Sequence, residues 1–162
     1  KKELDIKKCE EAIKLCKELG LQVHLTFPIG YLSDTSERIV KSFKWLVEQN
    51  PDSMQLSLVT PFPATNMYEA ARNAGFDMEQ DYTKYDGARF TVVSSHIGKE
   101  TLMDIHRAWI NIFVALKRGN KLPLEDMKIL FFAHSKNGIS EVSETEAFMQ
   151  FKDWLSSCGL NN

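Results

Sequence analysis

In the first half of the chain, segments whose apolar residues recur with a helical period alternate with short strand-like segments. Residues 4–19 carry apolar side chains about every 3.6 positions, which predicts an amphipathic helix that ends at Gly20. Residues 21–30 and 53–60 are short and rich in apolar and β-favouring side chains, so both predict strands. In the second run, alternation predicts one face with Met54, Leu56 and Leu58 and the other with Gln55, Ser57 and Val59. A second helical stripe lies between these two runs. The pattern therefore predicts a βαβ unit with two parallel strands.

After residue 60, the chain has mainly the helical period. Apolar spacing predicts four helices there, over residues 67–74, 99–117, 124–133 and 143–158. The change from strand-bearing to helical sequence predicts two regions, 1–95 and 96–162, of which the second is a mostly helical tail.

Composition and charge exclude several classes of protein. The chain has 162 residues, of which 43% are apolar and 26% are charged, as in a globular domain with one core. Its net charge of −2 gives no field that favours nucleic acid or anionic lipid. The longest apolar run, residues 129–133, is too short to span a bilayer, and no apolar segment follows the charged start as in a signal peptide. We therefore expect a cytoplasmic protein and, since the chain starts without Met, a fragment.

Three cysteines, Cys9, Cys16 and Cys158, are too few and too scattered for a disulfide framework. Cys9 and Cys16 lie two turns apart on the apolar face of the first predicted helix, so we interpret them as buried core thiols. Their spacing matches no usual metal-ligand loop. The sequence therefore predicts no metal site in this chain.

The most informative residues lie at the ends of the two predicted strands. The first strand runs out through Thr26-Phe27-Pro28-Ile29-Gly30. The second runs through Gln55-Leu56-Ser57-Leu58-Val59-Thr60-Pro61-Phe62-Pro63-Ala64-Thr65. In parallel α/β folds, ligands bind at the carboxyl ends of the strands. These two loops are therefore the candidate ligand-binding edge.

The two motifs and their spacing resemble radical S-adenosylmethionine (SAM) enzymes, in the branch with an N-terminal cobalamin-binding domain. That branch has Thr-Phe-x-x-Gly at one strand end, a crossover helix, Pro-Asp, and then Gln-x-Ser-x-x-Thr-Pro-Tyr-Pro-Gly-Thr. It includes enzymes similar to the anaerobic Mg-protoporphyrin IX monomethyl ester cyclase. The match extends over residues 9–116 and includes Pro51, Asp52 and Tyr68.

The resemblance implies a fold and a chemistry. The fold is α/β: the last strands and helices of a radical SAM partial (β/α) barrel over residues 1–95, followed by the helical region 96–162. The parent enzyme would use SAM and a [4Fe–4S] cluster, with cobalamin left open as a further cofactor. It would act on a small-molecule substrate as an oxidoreductase, methyltransferase or cyclase in tetrapyrrole or lipid-like biosynthesis.

The resemblance also names candidate cofactor contacts and no catalytic residue. It places Ile29 and Gly30 beside the adenine of SAM. It assigns hydrogen bonds to the nucleoside or substrate to four polar side chains, Thr26, Gln55, Ser57 and Thr60. The residues alone leave open a plain strand-to-helix turn at Gly30 and a solvent-facing strand surface at Gln55 and Ser57.

This chain departs from the family pattern in its cysteines and in two loop glycines. The chain contains no Cys-x-x-x-Cys-x-x-Cys motif, which binds the cluster in this family. We therefore expect the cluster loop and the N-terminal half of the barrel to lie outside this chain, and this segment alone to be inert and to bind no cofactor. Two loop glycines of the pattern are replaced by Ser33 and Ala64, which puts the loop backbone in question because glycine relieves positive φ.

Two other functions fit parts of the sequence. A different α/β barrel enzyme, aldolase-like, would use His24 with Thr60 or Asp86. A helical protein-interaction domain would present a face around Phe131 and Phe148.

Two local expectations concern the surface around the strands. The loop with Tyr82, Tyr85 and Asp86 either closes over the strand ends or forms an aromatic surface loop. The first strand would have a bare edge where its missing neighbour belongs, and bare edges recruit partners. We therefore expect dimerisation through that edge, addition of another strand to it, or its rearrangement.

Overall fold

The structure, a computed structural model, describes residues 4–87, 89, 91, 92, 97–135 and 144–158. Over these residues the protein is mixed α/β and mostly helical, with a two-stranded parallel sheet. The elements are α1 Ile6–Glu18, β1 His24–Ile29, α2 Ser36–Gln49, β2 Ser53–Leu58, α3 Asn66–Asn73, a 3-10 turn Tyr82–Lys84, α4 Lys99–Lys117, α5 Leu124–Ser135 and α6 Glu144–Ser157. The predicted βαβ unit is confirmed, and a partial barrel, which needs more strands, remains a prediction.

The two strands pair in parallel along their whole length. Their register pairs His24 with Ser53, Thr26 with Gln55 and Ile29 with Leu58. Both strands therefore end at the same edge of the sheet, where the chain turns into the loops that precede α2 and α3.

One face of the sheet is packed and the other is open. The packed face carries Leu25, Phe27, Ile29, Met54, Leu56 and Leu58, which join the core with α2 and α4. Its centre is Trp109 of α4, whose side chain is 0% exposed. The Trp109 ring lies 5.7 Å from that of Phe27 and edge-on at 5.3 Å from that of Phe43. The predicted alternation of β2 is confirmed by this arrangement.

The first helix packs less tightly than its periodic sequence suggests. Among its apolar residues only Ile13 is buried, Leu19 is 66% exposed, and Cys9 and Cys16 are half-buried free thiols. The interpretation of both cysteines as buried core thiols is therefore wrong. One apolar position of α1, Ile13, is covered, whereas Leu15 is 55% exposed. Contact with α2 includes a polar bond from Trp45 Nε1 to a Glu10 carboxylate oxygen, 2.7 Å long.

The C-terminal helices share the core of the sheet. Met127, Leu130 and Leu155 are buried in the same cluster as the packed face of the sheet. The division into regions 1–95 and 96–162 remains a prediction. In the part of the chain that the structure describes, no helix is both long and apolar enough to cross a bilayer.

Candidate functional site

The open face of the sheet carries a row of polar side chains along the two strands. Thr26 and Gln55 are exposed neighbours across the two strands, and Ser57 is half-buried opposite Pro28. The structure thus brings three of the predicted contacts onto one surface. Their hydroxyl and amide groups can both donate and accept hydrogen bonds.

Thr60, the fourth predicted polar contact, lies just beyond the end of β2. It is half-buried, and its hydroxyl donates a 3.3 Å hydrogen bond to the Leu58 carbonyl oxygen. Thr60 and Ser57 line the same cleft at this edge, described below. Ser57 and Thr60 therefore both border the cleft at the strand ends.

Ile29 lies apart from the other predicted contacts. Its side chain is 2% exposed and belongs to the core. Its carbonyl oxygen accepts a 2.9 Å hydrogen bond from the Val59 N–H. Both its side chain and its carbonyl are therefore already used by the fold, and its predicted contact with adenine remains a prediction.

Gly30 is required by the backbone itself. Its φ is +94°, and a Cβ at this position would lie 3.0 Å from Cδ2 of Leu102 in α4. Both facts explain the glycine by packing and conformation. If adenine lies beside Gly30, it would approach from the face of the peptide opposite Leu102, because Leu102 occupies the space where a side chain would lie.

The loop after β1 is held by an acidic side chain. Asp34 Oδ2 accepts hydrogen bonds of 2.9 Å from the N–H groups of Gly30 and Tyr31, and the Asp34 N–H donates to the Tyr31 carbonyl. Thr35, and not Asp34, is the N-cap of α2, since its hydroxyl accepts from the Arg38 N–H. Asp34 is therefore free to fix the turn that carries Tyr31.

The two glycine replacements have different outcomes in the structure. Ala64 has φ of +66°, a left-handed backbone that glycine adopts at less steric cost than alanine. Ser33 is not among the residues with positive φ, so the loop after β1 needs no glycine there. Thr65 then caps α3 by accepting from the Tyr68 N–H and donating to the Phe62 carbonyl.

An open cleft of about 510 Å³ lies at this edge of the sheet. Its polar wall includes Ser57, Thr60 and Asp86. Its apolar and aromatic wall is formed by Pro28, Tyr31, Leu58, Val59, Phe62, Met67 and Tyr85. A volume of this size with a few polar groups among apolar ones is typical of small-ligand sites, which span about 300–1,000 Å³.

The segment after α3 closes one side of the cleft. The Gly87 carbonyl accepts a 2.9 Å hydrogen bond from the Leu58 N–H, which ties the segment to the outer edge of β2. Tyr85 is buried and stacks against Phe62 and Tyr82 at centroid distances of 5.9 Å and 5.3 Å. The aromatic segment therefore lies over the strand end, as one of the two predicted arrangements has it.

Tyr85 of this segment and Tyr68 of α3 both have a raised pKa. Burial raises the pKa of Tyr85, whose hydroxyl donates a 2.9 Å hydrogen bond to the Glu79 carbonyl. A hydrogen bond with Tyr82, across 3.4 Å, raises the pKa of Tyr68. Tyr85 therefore adds an uncharged ring to the cleft wall near neutral pH.

A small network of ion pairs and hydrogen bonds stabilises the segment that follows α3. Lys84 Nζ lies 2.9 Å from Glu79 Oε2, and this bond lowers the pKa of Glu79 and raises that of Lys84. Hydrogen bonds from Thr83 lower the pKa of Asp81. These contacts fix the 3-10 turn from which Tyr85 enters the cleft wall.

The residues of the alternative enzyme do not converge. His24 is at the start of β1, where its Nδ1 lies 2.8 Å from the Ser53 hydroxyl. Thr60 and Asp86 lie at the opposite end of the sheet, about 16 Å away by the rise of a strand. The structure gives His24 a structural partner and no partnership with Thr60 or Asp86.

The aromatic side chains of the proposed interaction face lie mainly inside the protein. Phe131 is 4% exposed, and its ring packs edge-on against that of Phe148 at 5.3 Å. Phe151 is buried and Trp154 half-buried against the same core. A partner-binding face around Phe131 would therefore require the core to open.

Metal ligands do not assemble among the described residues. No group of three or more His, Cys, Asp or Glu side chains is placed to hold a metal ion there. Cys9 and Cys16 lie on α1, and Cys158 lies just after α6. These three thiols therefore do not form the ligand set of an iron–sulfur cluster.

Sequence reasoning missed part of the cleft wall. Tyr31, Phe62 and Met67 line the cleft, but none of them was a predicted contact. Tyr31 is 39% and Phe62 is 52% exposed, and they follow the ends of β1 and β2 by two and four residues. Large apolar side chains placed directly after parallel strands were the signal that could have identified them.

Three curated relatives are similar to this chain. An uncharacterized methyltransferase of Pyrococcus horikoshii is 25% identical over 108 residues, which are 66% of this chain and 24% of the relative. The anaerobic magnesium-protoporphyrin IX monomethyl ester cyclase of Rubrivivax gelatinosus is 28% identical over 68 residues, 42% of this chain and 12% of the relative. The corresponding cyclase of Cereibacter sphaeroides is 28% identical over 86 residues, 52% of this chain and 14% of the relative.

These matches are distant and cover a small part of each relative. The chain spans 24%, 12% and 14% of the three relatives, a quarter of their length or less. No protein-family model matches the chain. The chain is thus distantly similar to a methyltransferase and to two anaerobic cyclases, which supports the resemblance predicted from the two strand-end motifs.

Proposed function

We propose that this chain supplies one wall of the SAM-binding site of a radical SAM enzyme, as the last two strands of a partial barrel. The observation that carries the proposal is the polar open face of the sheet, which leads from Thr26 and Gln55 into the cleft at the strand ends. In a barrel, this face would be the interior. The similarity to the cyclases and the methyltransferase supports the same assignment.

The cleft fits the nucleoside part of SAM. Its aromatic wall, with Phe62 and Tyr85, offers flat apolar surface for a purine ring. Ser57 and Thr60 offer hydrogen bonds to ribose hydroxyls or ring nitrogens, and Gln55 extends the polar surface along the strand. These side chains would orient the nucleoside and exclude water from its apolar face.

The radical chemistry belongs to groups outside this chain. A [4Fe–4S] cluster bound to SAM would supply one-electron reduction in the parent enzyme. The cysteines of this chain do not form its ligand set, so we propose that the cluster loop and the first strands of the barrel come from preceding sequence. The parent would act on a tetrapyrrole or lipid-like small molecule, as a cyclase, a methyltransferase or another oxidoreductase.

The open edge of β1 is where the neighbouring strand would join. Because the Val23 and Ile29 carbonyls accept from β2, the alternate residues His24, Thr26 and Pro28 direct their backbone groups to the outer edge. Pro28 has no N–H, so this edge offers fewer donors than an ordinary strand. We propose that the missing half of the barrel, or a second copy in its absence, pairs with His24 and Thr26. Sedimentation at increasing concentration would show a dimer, and a monomer at all concentrations would refute the second-copy pairing.

Ligand-observed NMR tests the proposed cleft directly. One wall of the site should not retain SAM, but saturation transfer detects weak and transient contact. It should therefore reach the adenine protons of SAM and drop several-fold in a Gln55→Leu/Ser57→Val double variant. The matched control is Ser53→Val, which lies on the same open face at the far end of the sheet. Equal transfer in the wild type and the double variant would contradict the assignment of the cleft.

Iron–sulfur reconstitution tests the proposal that the [4Fe–4S] cluster is bound by residues outside this chain. We expect this chain to form no stable [4Fe–4S] cluster and to leave SAM intact under reducing conditions. A brown protein with the absorbance of such a cluster, and with SAM cleavage, would show that the segment is not the cluster-free part of the enzyme.

A further inference from the structure

A second groove lies at the opposite end of the sheet from the cleft. It has a volume of about 310 Å³ and runs between the outer edge of β2 and the last turns of α4. Its apolar walls are formed by Met54, Leu56, Ile110, Phe113 and Val114. The proposed SAM-binding function makes no use of these residues.

One end of the groove is positively charged. Lys117 is half-buried there, with its ammonium 2.8 Å from Asn50 Oδ1 and 5.8 Å from the centre of the Phe113 ring. Arg118 is exposed beside it. In the described part of the chain, neither cation makes an ion pair with a carboxylate within 4.0 Å.

The one acidic side chain that lines the groove is already engaged. Asp52 Oδ2 accepts a 2.6 Å hydrogen bond from the Val23 N–H, which ties it to the start of β1. Burial lowers the pKa of Lys117, the Asp52 carboxylate raises it, and the charge of Lys17 lowers it. Because two cations and one carboxylate line the groove, this end keeps an excess of positive charge, which favours an anionic ligand.

The edge of β2 beside the groove leaves little room for a peptide strand. His106 Nε2 lies 3.3 Å from the Leu56 carbonyl oxygen, and the Leu58 N–H donates to Gly87. These contacts occupy the edge over its second half. An extended peptide that added to the sheet would have to displace them, whereas a small molecule in the groove would not.

We propose that this groove binds a small anionic amphiphile, with its acidic head group on Lys117 and Arg118 and its acyl chain or flat apolar body along Met54, Phe113 and Val114. The volume is at the lower end of the range of ligand sites, which fits a medium-length chain. The head group gains charge-assisted hydrogen bonds in a partly desolvated place, and the tail gains burial of apolar surface.

Titration of this chain with decanoate, followed by the methyl NMR signals of Met54 and Val114, tests the proposal. Below the concentration at which decanoate forms micelles, we expect saturable shifts at both methyl groups. Decanol, which lacks the charge, and acetate, which lacks the tail, should each bind about ten-fold more weakly or worse, since each loses one of the two contributions. Binding of decanol as tightly as decanoate would refute the role of the cations.

Charge-removing variants separate the proposed site from general attraction. Lys117→Met/Arg118→Gln should weaken decanoate binding by about ten-fold, as expected for the loss of charge-assisted hydrogen bonds. Lys99→Gln/Lys121→Gln removes the same charge from exposed positions outside the groove and should leave the affinity unchanged. Equal weakening by both double variants would overturn the proposal.

Arg118→Gln alone keeps the test valid if the double variant does not fold. Arg118 is exposed after the end of α4, so its replacement should not disturb the core. We expect about three-fold weaker binding from the loss of one of two cations. Unchanged affinity in this variant, absence of saturable shifts in the wild type, or shifts confined to the strand-end cleft would each contradict the site.

Discussion

The two faces of the sheet have the same backbone and opposite surroundings. On the packed face, Phe27 and Leu58 lie in the core under α2 and α4. On the open face, Thr26 and Gln55 are exposed side by side. The comparison indicates that the packed face provides the core contacts that stabilise the βαβ unit. The open face is not needed for this packing and can therefore have polar side chains. Substitutions on the two faces should therefore have separate effects, the first on stability and the second on binding.

The largest expected effect comes from the centre of the packed face. Trp109→Ala should lower the free energy of unfolding by about 3–5 kcal/mol, because it leaves a large cavity among Phe27, Phe43 and the helices. Gln55→Ala on the open face should change it by less than about 0.5 kcal/mol. Denaturant unfolding of both variants measures the difference, and similar losses would break the distinction between the faces.

Trp109→Phe sharpens this comparison. It keeps an aromatic ring and removes a buried indole N–H that has no hydrogen-bond partner among the described residues. Its loss of stability should therefore be well below that of Trp109→Ala.

The loop after β1 should depend on one carboxylate. Asp34→Ala should cost about 2 kcal/mol of stability, because the N–H groups of Gly30 and Tyr31 lose a charge-assisted acceptor. Asp77→Ala is the control, since Asp77 is exposed and has no such contact. Thermal unfolding reports the stability of each variant, and equal melting temperatures would show that the turn holds without Asp34.

Gly30 should resist substitution on conformational grounds. Gly30→Ala places a side chain at φ of +94° and next to Leu102, so it should destabilise the protein by about 1.5 kcal/mol. Gly75→Ala also has positive φ, +71°, but meets no atom within 4 Å. Unfolding free energies of the two variants separate the contact from the backbone strain, and a smaller loss for Gly30→Ala would contradict the close approach of Leu102.

The loop after β2 should become more stable when its family glycine is restored. Ala64→Gly should add somewhat less than about 1 kcal/mol, because glycine adopts φ of +66° without steric cost but is freer in the unfolded chain. Ala70→Gly, in the middle of α3, should instead cost about 1 kcal/mol. If both changes destabilise equally, the positive φ of Ala64 is not a feature of the folded protein.

The smallest expected effect is the pH dependence of the aromatic segment. The folded pKa of Glu79 is lowered by Lys84, so the folded state binds fewer protons than the unfolded state near the ordinary glutamate pKa. This contribution to stability is present above that pKa and is lost as the pH falls through the folded pKa. Glu79→Gln should therefore make stability less sensitive to acid, which urea unfolding from neutral to acidic pH would show as a shallower slope.

The sequence predicted the positions of the helices and strands better than it predicted which of their side chains are buried. Periodicity and strand alternation placed β2 and α4 within two residues of their observed bounds, because both depend on local patterns. The same periodicity predicted a buried face on α1 that the structure exposes, since burial depends on what packs against a helix.

The candidate site was predicted in part for the same reason. Alternation placed Gln55 and Ser57 on one face, which the structure shows. The core burial of Ile29 depends on α4, and the bond from Asp34 to Gly30 depends on the path of the loop. Neither contact is visible in local sequence patterns. The prediction that Ile29 contacts the cofactor therefore rested on the family resemblance alone.

Protein-observed NMR with S-adenosylhomocysteine tests most directly whether the open face and the strand-end cleft form a nucleoside site. We predict that the amide and side-chain signals of Thr26, Gln55, Ser57 and Thr60 shift together with those of the aromatic wall at Phe62 and Tyr85. Signals of the packed face, such as that of Trp109, should stay in place. Shifts confined to other surfaces, or no shifts at saturating ligand, would contradict the assignment of this edge as the cofactor wall.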